Sequence, residues 1–384
     1  MNIEEVRKLF PHLQTDQIYF NHAALGPWST LVLDRIKEYM DERSGLKVMN
    51  FESFVKWNFS AKEKLAKLLG TSTTRLSWVD NVANGISILA QGLDWKTGDR
   101  IILNDIEFPS NVYPFLNLKK HGVEVDFAKS RNGIVDLEDL EKLITPRTKL
   151  ISISMVQFLS GYKADIDAIG DLCKRKGIIF CVDAIQAVGA VHVDLKKSPI
   201  DFLTGGTQKW LMSSQGLSYF YVTEELQNKI DQKNVGWTSV EDPWNLLNYD
   251  LTLRSNAERF QTGTLNAFGI AIFDAALNIF KQLRIENLPA GRQGCELKIF
   301  ENTNYFINKL SEIGIEPLLK NISNEHLAGI VTFKHEKSKE LFSELEKRKI
   351  YCAVREGMIR FSPHFYNTKD EIERVINELK NIVG

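Results

Sequence analysis

Two segments constrain this chain more than any others, Ile178 to Gln186 (IIFCVDAIQ) and Asp201 to Trp210 (DFLTGGTQKW). In the first, an apolar run rich in β-branched residues ends in Asp183. That is the pattern of a buried parallel strand delivering a carboxylate to a cleft at its carboxyl end. In the second, Asp201-Phe202-Leu203 reads as a short strand and Gly205-Gly206 as a turn with unusual backbone angles, after which Thr207 and Gln208 lead to Lys209.

Similar apolar runs recur upstream. Arg100 to Asn104, Val123 to Phe127 and Leu150 to Met155 read as buried strands, and Asp165 to Lys176 as a helix between the last of these and Ile178 to Asp183. Strands alternating with helices predict an α/β fold. After Thr264 the texture changes to long helical stretches, Phe268 to Leu283 and Cys295 to Glu312. Short strands follow around Ala328 to Lys334 and Met358 to Ser362. The last helix is signalled by a capping box of Thr368 and Glu371, with Ile372, Val375, Ile376 and Leu379 on one face. Leu288 to Gly294 (LPAGRQG) reads as an exposed loop.

With 384 residues, 43% of them hydrophobic, the chain can bury a large core and divide into two domains. A net charge of -1 gives no electrostatic reason for nucleic acid or membrane partners. The N-terminal MNIEEVRKLF carries acids where a signal peptide would carry an apolar run, so a cytoplasmic location is expected. Cys173, Cys181, Cys295 and Cys352 are scattered and form no CxxC pair, which predicts buried thiols; the histidines show no metal-binding spacing, and no metal is assigned.

An aspartate and a lysine so placed suit one chemistry. A lysine amine condenses with an aldehyde, and pyridoxal phosphate needs a carboxylate facing its ring nitrogen to act as an electron sink. Taken singly, Asp183 could as well cap a helix and Lys209 be a solvated lysine. The surrounding segments decide between them. VDAIQAVGAVHVD, the strand-turn-Lys segment and GLSYFYV resemble the cofactor core of the class V aminotransferase family, as do IYFNHAALGP, GDRIILNDIEFPSN, RFQTGTLN and IRFSPHFYNT. The resemblance covers nearly the whole chain and implies a fold type I, pyridoxal phosphate-dependent enzyme. It implies a mostly parallel seven-stranded sheet between helices in residues 16–264, and a smaller α+β domain formed by residues 265–384 with 1–15.

The resemblance also distributes roles. Lys209 would form the Schiff base and move protons, Asp183 would face the ring nitrogen, Gln186 would donate to the ring oxygen, and Phe108 would stack on the ring. The phosphate would lie on Asn81, Val82 and Ala83 at a helix N-terminus, with Thr207 and Gln208 beside it and Thr264 reaching across a homodimer interface. The family often has threonines where this chain has Val82 and Ala83, and commonly a histidine at the position of Gln208. Arg360 would grip the substrate carboxylate, and Asn21 and His22 would line the substrate entrance, with Trp28 and Trp237 as further candidates.

Among the family's reactions, aminotransfer is expected first, with epimerase and carbon-sulfur or carbon-carbon lyase activity as alternatives. Desulfurase activity through an enzyme persulfide ranks below these, because Glu356 to Ile359 leaves no room for an inserted cysteine loop. A non-catalytic binding protein that keeps the fold is the reading from outside the enzyme class.

Overall fold

The computed structural model of the chain describes residues 2–283, 289 and 292–383. Near the N-terminus β1 (Ile18–Tyr19) pairs in parallel with residues from the far end of the chain. The strands β2 (Leu76–Val79), β3 (Arg100–Asn104), β4 (Glu124–Ala128), β5 (Thr148–Ser154), β6 (Ile179–Asp183), β7 (Phe202–Gly206) and β8 (Ser218–Val222) form the central sheet. Their order is β2-β8-β7-β6-β5-β3-β4. Only β8 runs antiparallel to its neighbours. Beyond them come β9 (Val331–Lys334), β10 (Ile350–Tyr351, the partner of β1), β11 (Ala353–Arg355) and β12 (Met358–Phe361), of which β11, β12 and β9 make an antiparallel sheet.

Both faces of the central sheet are covered, which is why its strands read as unbroken apolar runs. Successive side chains go to opposite sides: Phe180 and Val182 enter one hydrophobic cluster, and Cys181 between them enters the other. The larger cluster runs continuously from Val6 to Leu379.

Element boundaries follow the sequence reading with small shifts. Arg100–Asn104 is as expected, the helix after β5 spans Ile166–Lys176 with Asp165 as its cap, and the final helix spans Lys369–Val383. Its capping box is formed: the Glu371 N–H donates to Thr368 Oγ1 at 3.2 Å, and the Thr368 N–H to Glu371 Oε2 at 3.2 Å. The glycine reading needs correction. Gly205 and Gly206 are not in a turn but inside β7, and neither has a positive φ. The requirement is for space. A Cβ on Gly205 would stand 2.6 Å from the Tyr219 hydroxyl, and one on Gly206 2.9 Å from Ile185. Of the Leu288 to Gly294 loop, residues 288, 290 and 291 lie outside the described residues, and 292–294 open the helix Arg292–Glu312.

Residues 2–15 sit on the C-terminal part. Arg7 donates to Glu371 at 2.8 Å and to the Tyr366 carbonyl, and the buried Phe10 packs on Tyr366 with ring centroids 4.6 Å apart. The helix Ala267–Gln282 packs back on Thr30–Asp41 and Phe51–Leu69 through the buried Asp274, which takes Arg35 at 2.9 Å and Lys64 at 2.6 Å. We propose the division at residues 264/265, with this helix as the connecting element. Among the described residues no helix is long and apolar enough to cross a membrane.

Removing the Asp274 carboxylate takes the buried counter-charge from two partly buried cations, leaving Arg35 the more exposed Glu38 and Lys64 only a backbone carbonyl, so Asp274→Ala should cost about 3 kcal/mol of unfolding free energy in a urea titration. A loss under about 0.5 kcal/mol, the range of ordinary surface changes, would show that the three-helix junction does not depend on it.

Candidate active site

The site forms where β5, β6 and β7 end. Asp183 closes β6, opposite Ser154 of β5 and Thr204 of β7, and is 2% exposed. Its carboxylate accepts the Ile185 N–H at 2.9 Å. Burial pushes it up to about 7, helped by the negative charge of Glu107 and opposed by the Ile185 N–H and the Lys209 amine. The Lys209 amine lies 5.7 Å from the centre of the Phe108 ring. Burial pulls it down to about 8, with Asp183 opposing and the Arg360 and Arg355 guanidiniums assisting.

Among the described residues, no hydrogen bond or ion pair joins Asp183 to Lys209, although each charge shifts the other. The two groups therefore stand apart, beyond ion-pair reach, with an aromatic ring beside the amine. Phe108 is 41% exposed and meets Phe158 edge-on at 5.3 Å. The Phe158 carbonyl in turn accepts from Arg360 Nη1 at 2.6 Å. Arg360 is 1% exposed, yet among the described residues its Nε has no partner and no carboxylate pairs with it; burial brings it down to about 9. A buried guanidinium left this way is expensive unless an anion arrives.

The N-terminal segment is pressed against the lysine loop. The Gly26 N–H donates to the Gln208 carbonyl at 2.8 Å, and any Cβ on Gly26 would collide with the Lys209 carbonyl. Gln186 bridges the two: its amide nitrogen donates to the Ala23 carbonyl at 3.0 Å and its oxygen accepts from Trp210 Nε1 at 2.8 Å. One amide hydrogen remains for a ligand.

Asn81 caps the helix Val82–Gly92, accepting the Asn84 N–H at 2.9 Å. The Asp80 carboxylate takes side-chain donors of both Asn81 (3.0 Å) and Asn84 (2.6 Å). The first-turn amides of Val82 and Ala83 are left as donors for an anion. Gln208 is partly exposed. Thr264 is exposed and lines a cavity of about 850 Å³ with Trp237, Trp244 and Phe51.

Two expectations change. The Thr207 side chain is fully buried, and its hydroxyl lies 2.9 Å from both the Ser214 and Leu217 carbonyls, sharing its one hydrogen between them, while the Thr207 N–H also reaches the Leu217 carbonyl at 3.4 Å. His22 does not line an entrance. It is fully buried, with Tyr366 OH 2.5 Å from its Nε2, Ser362 O 3.3 Å from its Nδ1, and the His364 ring 4.6 Å away. Burial, with the neighbouring His364, holds it well below the usual imidazole range, so it stays neutral. Asn21 keeps a buried Oδ1 without a partner, and Trp28 is tied to the Ser213 carbonyl at 3.1 Å.

The sequence reading missed Glu107, Gln157 and Trp210. Glu107 is a buried carboxylate with no cation partner among the described residues. It is held instead by the Asn104, Asn111 and Gln157 amides, the Ser154 hydroxyl and the Ser154 N–H. Gln157 thereby has its nitrogen fixed at 2.9 Å and its buried oxygen unpaired. Glu107 adjoins Phe108 in EFPSN, and that adjacency was its only signal.

A family model described as Aminotransferase class-V matches residues 18–375. The chain belongs to this family. Its cofactor is pyridoxal 5′-phosphate. The family resemblance is spread along the whole length: an uncharacterized aminotransferase, YcbU, of Bacillus subtilis (strain 168) is 28% identical over 98% of this chain and 97% of its own. A probable cysteine desulfurase of Pyrococcus abyssi (strain GE5 / Orsay) is 28% identical over 99% of this chain and 97% of its own. In fold, the chain matches the apo cysteine desulfurase of Thermococcus onnurineus NA1 with a TM-score of 0.88 at 23% identity, over 99% and 98% of the two chains. It matches the cystine C-S lyase C-DES in complex with cysteine persulfide with a TM-score of 0.87 at 21% identity, over 97% and 99%. The class V residues of this chain fit the cofactor on the structure's own terms: a buried carboxylate and a buried amine that do not pair with each other, buried polar atoms on Arg360 and Gln157 without a partner among the described residues, and open helix amides.

Condensation of the Lys209 amine with the cofactor's aldehyde requires the neutral amine, so cofactor association with apoprotein should accelerate as pH rises through about 8. In Asp183→Asn the charge that holds the amine up is gone, and the midpoint should move to lower pH. An unchanged or higher midpoint in stopped-flow absorbance would contradict the coupling.

Proposed function

We propose that this chain is an aminotransferase acting on an α-amino acid. The observation that supports it best is that one titratable amine, Lys209, has only Asp183 and two guanidiniums acting on its charge. Moving the amino group needs one base that takes a proton from Cα and returns it nearby, and a single amine near neutrality suits that task.

Bound cofactor supplies the electron sink that acidifies the Cα proton. Lys209 would hold the cofactor through its aldehyde, and its amine would carry the proton at Cα. Asp183 faces the ring nitrogen, and the spare Gln186 hydrogen serves the ring oxygen. Phe108 covers one face of the ring and adds about 1 kcal/mol of stacking. The Val82 and Ala83 amides, with Asn81 and Gln208, hold the phosphate. Arg360 grips the α-carboxylate with its free edge and so sets the Cα–H bond in line for transfer. Asn21, with its unpaired oxygen, adds a substrate contact.

A second copy of the chain completes the arrangement. Met49, Leu247 and Tyr249 are 85%, 85% and 90% exposed and Trp244 is 63% exposed, apolar side chains of the kind that a partner covers. Thr264 lines a cavity with Trp244, which supports the reading that Thr264 reaches the partner's phosphate. Four free, buried thiols fit a reducing cytoplasmic setting.

Carbon-sulfur lyase activity is the second reading, favoured by the relatives named cysteine desulfurase. An enzyme-bound persulfide finds no support, because all four thiols are buried and burial pushes Cys173, Cys181 and Cys352 up to about 12.

Incubating holoprotein with single amino acids and a keto-acid acceptor should convert each reactive amino acid to its keto acid in step with amination of the acceptor. Release of pyruvate, ammonia or sulfide without acceptor would establish the lyase instead. Arg360→Gln should raise KM about tenfold or more, the worth of hydrogen bonds to a charged group, with a smaller fall in kcat.

A further inference from the structure

β11 and β12 are joined by Glu356 and Gly357, whose φ angles of 47° and 73° make a two-residue turn of the kind that keeps strands in tight register. That register sets Ala353 opposite Arg360 and Arg355 opposite Met358. Side chains alternate across a strand, so Ala353, Arg355, Met358 and Arg360 share one face. Arg355 and Arg360 are diagonal neighbours, a spacing of about 7–8 Å. The face is the one that meets the site, since Arg360 reaches the Phe158 carbonyl and Phe158 abuts Phe108.

Arg355 is exposed, donates only to its own neighbour's carbonyl (Val354, 2.8 Å), and makes no ion pair among the described residues; the adjacent Glu356 does not pair with it. Its charge acts on both Arg360 and Lys209. Two guanidiniums and an amine thus converge where the only opposing carboxylate acting on Lys209 is Asp183, which the cofactor nitrogen claims. The substrate's α-carboxylate satisfies Arg360, and Arg355 is left over.

We propose that Arg355 binds a second anionic group and that the substrate is an α-amino acid with an acidic side chain, a dicarboxylate of aspartate or glutamate type. The assignment rests on the reading of Arg360 as the α-carboxylate holder. The small Ala353, opposite Arg360 and two residues before Arg355, puts no bulky side chain between the two arginines. A planar guanidinium suits a carboxylate bidentately, and its position at the hairpin tip lets it select the side chain without touching the reacting carbon.

Unreactive acids test this without turnover. Isothermal calorimetry on holoprotein would compare succinate, with two carboxylates, and butyrate, with one. Wild type should bind succinate at least about tenfold more tightly. Arg355→Gln should bring the two within about twofold by weakening succinate alone, whereas Arg360→Gln should weaken both. Equal affinities in wild type, no measurable binding of succinate, or an Arg355→Gln variant that keeps the preference or weakens both acids alike would overturn the proposal. The cofactor reading is checked separately by the visible absorbance of the same samples, so loss of that band and loss of the succinate preference are distinct failures.

Discussion

The structure turns on a carboxylate and an amine held near each other in the interior without touching. Asp183 and Lys209 each pull the other toward its charged form while burial pushes both toward neutrality. An arrangement so poorly compensated persists because the scaffold around it is over-determined. A parallel strand fixes Asp183 through pairs on both sides. Gln186, Trp210 and Gly26 clamp the loop that carries Lys209.

Around this centre the polar groups are fixed from behind. Glu107 orients three amides with no cation of its own among the described residues, and its charge bears on Asp183. Trp210 stacks on His364 at 5.6 Å, and the His364 Nε2 lies 3.3 Å from the Trp210 carbonyl. The C-terminal segment that supplies Arg360 is thereby tied directly to the residue after Lys209. The segment that carries Arg360 and the loop that carries Lys209 share one junction.

What was legible in the sequence is what depends on near neighbours. The strand ending in Asp183, the strand Arg100–Asn104 and the Thr368–Glu371 box are set by periodicity and capping over a few residues. What was misread depends on distant contacts. Gly205 and Gly206 look like a turn until the Tyr219 ring from the next strand is in place. His22 looks like a surface residue until Tyr366 and Ser362, from the opposite end of the chain, cap both ring nitrogens. Thr207 appears to be an anion donor until the carbonyls it satisfies are seen. Beyond its place next to Phe108, Glu107 carried no signal, because three of its five donors come from the distant Ser154 and Gln157.

The central claim is that Lys209 is the covalent anchor for pyridoxal phosphate, facing Asp183. Borohydride reduction of cofactor-loaded protein followed by peptide mass mapping tests it most directly. The account predicts one pyridoxyl group per chain, on Lys209. A group on another lysine, or no modification of a protein that has taken up the cofactor, would contradict it.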